Sequence, residues 1–170
     1  MRIAYWLIPA SPYLDELQDK VTELASELNG PSFVPHITIY SGVYSELDSV
    51  ENVLEKLSKF KSLSLLCKGP EFGDTVKRSC TLEFELDPKL ITLNETVKSL
   101  YHTPDARPVL AHVSLFYGKL AIEAQEKIRG ELRLPKLVKF DQIVAVSNQE
   151  QVLVPNDIES AVEVGRCRFS

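Results

Sequence analysis

One four-residue pattern, a histidine, any residue, a hydroxyl residue and an apolar residue, occurs twice in this chain. His36-Ile37-Thr38-Ile39 and His112-Val113-Ser114-Leu115 lie 76 residues apart (112 − 36), and the surrounding hydrophobic patterning repeats at the same interval. Residues 3–8 read as a strand and, shifted by 76, land on 79–84, which read as another; the helical pattern at 12–28 is carried onto 88–104 in the same way. Each half runs strand, helix, histidine strand, helix, strand. Two copies of so long a unit cannot stack as a solenoid and imply instead two similar lobes about an approximate twofold axis. Two antiparallel-rich β-sheets facing one another, with helices on their outer faces, would bury both apolar stripes and leave a central cleft. The expected fold is α+β, bilobal and pseudo-twofold, with residues 1–170 forming a single domain.

Local signals place the pieces. Tyr5, Trp6, Leu7 and Ile8 run together until Pro9 stops them. Ser11 is placed to cap a helix carrying Leu14, Leu17, Val21, Leu24 and Leu28, which Asn29-Gly30-Pro31 ends. His36, Thr38 and Tyr40 then alternate on one side of a strand, with Ile37 and Ile39 on the other. Ser45 is expected to cap the next helix, with Leu47, Val50, Leu54 and Leu57 as its buried stripe, followed by a strand at 63–67. In the second half Asp87-Pro88 opens a helix with Leu90, Leu93, Val97 and Leu100 inward. His112, Ser114 and Phe116 then share one face of a strand, Val113, Leu115 and Tyr117 the other. A helix at about 121–132 and a strand at about 137–147 complete the second half, and a strand at 161–169 is left over.

The composition excludes several classes. Nineteen Lys and Arg against 24 Asp and Glu leave a net charge of −5, which repels long polyanions, so long nucleic acid is not an expected partner and a small ligand is. No apolar run reaches membrane-spanning length and the N-terminus lacks a secretory pattern, so a cytoplasmic protein with no membrane partner is expected, as a monomer. Cys67, Cys80 and Cys167 are odd in number and widely spaced, which reads as buried or free thiols.

Because strand side chains repeat every two residues, each imidazole lies beside its own hydroxyl. Two such strands meeting across a cleft would converge two imidazoles and two hydroxyls on one small group. Hydrolysis of a phosphodiester without a metal asks for that set. One neutral imidazole takes a proton from water, one imidazolium gives a proton to the departing oxygen, and the hydroxyls donate to the non-bridging oxygens as charge develops. A single histidine on a half-buried strand is ordinarily a packing or surface residue; two in register reverse that expectation. His102, Asp105 and Cys80 are available as further ligands for a zinc ion, but no spacing singles them out, so neither metal nor cofactor is expected. Tyr5 and Trp6 read most simply as core, though one could line the cleft and stack a base. Lys77 and Arg78 read most simply as a solvated pair, though they could attract phosphate.

At the two tetrads the sequence resembles the two-histidine phosphoesterase superfamily. The flanks Tyr5-Trp6-Leu7-Ile8-Pro9, Asn29-Gly30-Pro31-Ser32-Phe33-Val34-Pro35-His36 and Ala111-His112-Val113-Ser114-Leu115-Phe116-Tyr117 resemble its plant-type cyclic phosphodiesterase branch, apart from Ala111, where that branch usually has proline. The resemblance implies a LigT-like fold and metal-independent opening of ADP-ribose 1″,2″-cyclic phosphate or of nucleoside 2′,3′-cyclic phosphates. It also implies His36 and His112 as the acid–base pair, Thr38 and Ser114 as phosphate clamps, and Tyr117 as a substrate contact. An enzyme acting on cyclic-phosphate or 2′-5′ ends of RNA is the nearest alternative, and a non-catalytic nucleotide-binding module is one of another class.

Overall fold

The structure, a computed structural model, describes residues 1–133, 135–148 and 160–170. The first half consists of β1 (Arg2–Pro9), α1 (Tyr13–Leu28), β2 (Ile37–Val43), α2 (Val50–Leu57) and β3 (Leu63–Glu71). The second consists of β4 (Cys80–Phe84), α3 (Pro88–Ser99), β5 (His112–Phe116), α4 (Ile122–Glu131) and β6 (Leu137–Asn148), and β7 (Val162–Arg168) follows. Leu17, Val21 and Leu24 of α1 and Leu90, Leu93 and Val97 of α3 form the buried stripes the spacing predicts.

Two helix starts differ from expectation. The residue before α1 is Pro12, with no side-chain cap, so Ser11 does not cap it; Asn29, left-handed at φ 53°, ends it as expected. Ser49 rather than Ser45 caps α2, its hydroxyl accepting from the Asn52 amide at 3.1 Å. Ser45 is held in the preceding turn, its hydroxyl donating to Asp48 Oδ2 at 3.0 Å. Leu47 therefore lies ahead of the helix and is 74% exposed instead of joining the stripe.

The strands run β2-β1-β6-β3-β4-β5, with β7 also on β6. Exchanging the halves (β1 with β4, β2 with β5, β3 with β6) reverses this order onto itself, so the pseudo-twofold passes between β6 and β3. Each half therefore gives its last strand to the other. A lone two-stranded ribbon is marginal, and the exchanged strand completes it. β3 pairs with β6 through Leu63–Leu66 and with β4 through Cys67–Glu71. The two expected sheets are thus wings of one strand path, and one cluster of buried residues runs through both.

The pairing register corrects the repeat interval. In β1/β2, Tyr5 faces Tyr40 and Trp6 faces Thr38, leaving Ile39 as a bulge. In β4/β5, Cys80 faces Phe116 and Thr81 faces Ser114, leaving Leu115. The bulged residues are 76 apart (115 − 39), but the residues meeting them on β1 and β4 are 75 apart (80 − 5, 81 − 6). One residue of slip turns every side chain to the opposite face. Thr81 and Glu83 consequently share a face with Ser114 and His112, while Cys80 and Leu82 enter the core.

The bulges also end the expected alternation. Tyr40 packs with Tyr5 and Tyr101, and Phe116 packs inward beside Gly30, where an added Cβ would fall 2.4 Å from the Phe116 ring. Phe116 leaves the histidine face, contrary to expectation, Tyr40 packs on Tyr5 and Tyr101 while still bordering the cleft, and Tyr117 turns toward the cleft. All three cysteines are free, and Cys80 is buried. Among the described residues, no helix is long and apolar enough to cross a membrane.

Candidate active site

A cleft of about 460 Å³ lies between the wings, and both tetrads border it: His36 and Thr38 from one side, His112 and Ser114 from the other, with Tyr117 beside them. The fold thus brings all five candidate residues together.

His36 sits at the entry to β2. Its ring stacks on Trp6 with centroids 3.8 Å apart and planes 11° from parallel, and its Nδ1 lies 2.7 Å from the Val34 carbonyl oxygen. A carbonyl can only accept, so Nδ1 carries the hydrogen and the neutral ring keeps its lone pair on Nε2. Burial pushes the imidazole down to about 4; the Val34 carbonyl opposes this and His112 reinforces it. Trp6 therefore both closes the core and lines the cleft, while Tyr5 is wholly core.

His112 has different neighbours. It lies opposite Glu83 across the β4/β5 ladder. Burial holds its imidazole below the ordinary range, Glu83 pulls it back up, and Arg78 pushes it down. Glu83 Oε1 accepts from the Thr81 hydroxyl at 2.8 Å and from Arg78 at 3.2 Å. His112 Nδ1 is buried and has no hydrogen-bond partner among the described residues.

Of the two tetrad hydroxyls, Ser114 is buried and Thr38 exposed. Burial raises the Tyr117 phenol, and a hydrogen bond with Ser114 opposes that rise. The Tyr117 ring meets Phe33 edge-on at 4.7 Å.

Several cleft residues carried no weight in the sequence reading. Arg107 forks onto Asp105 (Nε to Oδ1 2.9 Å, a terminal nitrogen to Oδ2 2.8 Å) and donates to the Ser41 carbonyl at 3.0 Å. That contact holds the Asp105 carboxyl at about 2. Arg2 donates to the same carbonyl at 3.2 Å and approaches Asp105 at 3.8 Å. Arg2, Ala4 and Trp6 all border the cleft, so strand alternation back from Trp6 could have found Arg2. Asn94 interrupts the apolar stripe of α3, a legible signal; its amide donates to the carbonyl of the bulged Ile39 at 2.6 Å. Asp105 and Arg107 sit between α3 and β5, where no periodicity marks them. Lys77 and Arg78 also border the cleft, rather than forming only a solvated pair. Basic residues that lie far from the motifs in sequence thus gather beside them in space.

Among the described residues, no three of His, Cys, Asp and Glu gather in a group that could hold a metal ion. Cys80 lies in the core, and the His102 amide is engaged by Asp48 Oδ1 at 2.9 Å.

A family model described as "Cyclic phosphodiesterase-like protein" matches residues 1–158, nearly the whole chain. The chain belongs to that family. It is a phosphodiesterase of the two-histidine phosphoesterase superfamily. The cyclic phosphodiesterase of Arabidopsis thaliana is 25% identical over 127 residues, covering 72% of this chain and 70% of that protein. The crystal structure of apo LigT from E. coli superposes with a TM-score of 0.61 at 13% identity, covering 99% of this chain and 97% of LigT. LigT complexed with 3′-AMP gives 0.60 at 12% identity, covering 99% and 98%. At such identities these two structures speak for the fold alone, which is the LigT-like α+β architecture.

Proposed function

We propose that this family member hydrolyses a small nucleotide-like cyclic phosphate by two-histidine general acid–base catalysis, working as one bilobal, monomeric unit. The observation that carries the reading is that both His-x-Ser/Thr pairs, from opposite halves, border one cleft. The substrate would be ADP-ribose 1″,2″-cyclic phosphate or a nucleoside 2′,3′-cyclic phosphate. One imidazole removes a proton from water as its oxygen bonds to phosphorus. The bond from phosphorus to one ring oxygen breaks, and the other histidine, as imidazolium, protonates that oxygen. The product is a phosphomonoester, and the two histidines exchange charge states, to be reset through solvent. Thr38 and Ser114 donate to the non-bridging oxygens, and Tyr117 contacts the substrate beside them. Both proton transfers come from the protein, so the step needs no metal.

A cleft of about 460 Å³ is the size of a small-ligand site, which favours a mononucleotide-sized substrate over an RNA end. The Arabidopsis relative's name and the 3′-AMP bound to LigT point to the same ligand class. The cations Arg2, Lys77, Arg78 and Arg107 around the cleft are the observation that favours an RNA end. A panel of cyclic phosphates, as mononucleotides and as oligonucleotide ends, tests the choice, with products identified by phosphorus NMR in excess chelator. Turnover of the mononucleotides with chelator present is expected. A steep, salt-sensitive preference for oligonucleotides would move the assignment to RNA ends. Binding without turnover across pH 5–8 would make the protein a nucleotide-binding module.

A further inference from the structure

The two histidines occupy matching places in the pseudo-twofold, but the strands beside them offer opposite surroundings. With the corrected interval of 75, Trp6 and Ile8 of β1 correspond to Thr81 and Glu83 of β4 (81 − 6, 83 − 8). His36 therefore faces an indole plane, and its Nδ1 meets the backbone carbonyl of Val34. His112 faces a carboxylate held by two donors, Thr81 and Arg78. We propose that Glu83 is a positioning residue for His112, sustaining it as the imidazolium that protonates the departing oxygen and leaving His36 to take the proton from water. The role assignment rests on the cyclic phosphodiesterase reading above; the pairing of Glu83 with His112 does not.

The fixed geometry supports this division. Residues directly opposite on adjacent antiparallel strands bring their Cβ atoms to about 5 Å, so a carboxylate there acts on the imidazole without a hydrogen bond to it. Thr81 and Arg78 bind the same oxygen, Oε1, and so fix the side chain in place. The charged and titratable groups facing His112 are Glu83, Arg78 and Lys77 from β4 and the turn before it, His36 and Tyr40 from the entry and body of β2, Tyr117 from the end of its own strand, and Arg2, Asp105 and Arg107 across the cleft. Asp105 pairs with Arg107 and Arg2 across the cleft, whereas Glu83 is the carboxylate directly opposite His112 on the adjacent strand. On the other side, protonating His36 would place a charge against Trp6 in a buried site, where desolvation opposes it.

The test is an NMR titration of both imidazoles in the full-length protein, wild type, Glu83→Gln and Glu83→Asp, with resonances assigned through His36→Gln and His112→Gln. In the wild type His112 should titrate above His36. Glu83→Gln should lower the His112 midpoint by about one pH unit, leave His36 in place, and move the alkaline limb of kcat/KM to lower pH. The corresponding cost is about tenfold in kcat/KM above neutrality, with KM within twofold. Glu83→Asp should restore part of the shift. An unmoved His112 in a folded Glu83→Gln protein, or a shift in His36 instead, would overturn the proposal. So would a wild-type His36 that titrates above His112, which needs no variant at all. Failure of the wild type to turn over any cyclic phosphate would instead remove the proposed function, while the titration still decides whether Glu83 sustains charge on His112.

Discussion

The two halves of this protein share a strand order, a bulge and a His-x-Ser/Thr pair, yet surround their histidines with opposite chemistry. The first half closes an apolar, stacked wall over His36, while the second half sets Glu83, Thr81 and Arg78 around His112. A duplicated frame supplies two imidazoles at matched positions, and acid–base chemistry needs them unmatched. The difference enters through the first strand of each half, not through the motifs.

Removing either imidazole should have the largest effect. His36→Gln or His112→Gln should each lower kcat on a cyclic phosphate by about 10²–10⁴ with the circular dichroism spectrum unchanged. A variant retaining normal turnover would show that only one half is chemical.

Acid stability should separate the halves next. The unfolded chain takes up a proton near the ordinary imidazole value of 6.5, whereas folded His36 does so only at about 4. Stability is therefore full above that window and falls as pH drops through it, by about 3 kcal/mol for His36. Chemical denaturation between pH 7 and 4 should show this slope flattened by His36→Gln and much less by His112→Gln. Equal flattening would erase the contrast between the two sites.

The hydroxyls sharpen the symmetric part. Thr38→Val and Ser114→Ala should each cost about 10–100-fold in kcat, the loss expected for one hydrogen bond to a charged group. Steady-state kinetics giving a loss for only one of them would confine the phosphate to one wing. Smallest is the expected effect of Arg2→Gln. Its cation is partly spent on Asp105 and the Ser41 carbonyl, so KM should rise only a few-fold with kcat nearly unchanged. A collapse of kcat would place Arg2 among the reacting groups.

The sequence pattern made the halves, the histidine strands and the cleft legible because a duplicated hydrophobic period survives as arithmetic. It did not reveal the exchange of β3 and β6, since strand pairing leaves no local mark. Nor did it reveal the slip from 76 to 75 on β4, because Cys80 and Leu82 are apolar and Ser79 and Thr81 are small, so either face could pass for the inner one. That ambiguity hid Glu83, whose place beside His112 depends on register. Ser45 was expected to cap α2, but Asp48 binds its hydroxyl in the preceding turn and Ser49 caps the helix instead. Asp105 and Arg107 lie in a connection, where position follows from tertiary contacts alone.

The most direct test of the account is a titration of the protein with a nucleoside monophosphate, following the imidazole resonances of His36 and His112 together. Both should move along one saturation curve with one ligand bound per chain. Movement of a single ring, or two curves with separate midpoints, would mean that the two halves do not share a phosphate.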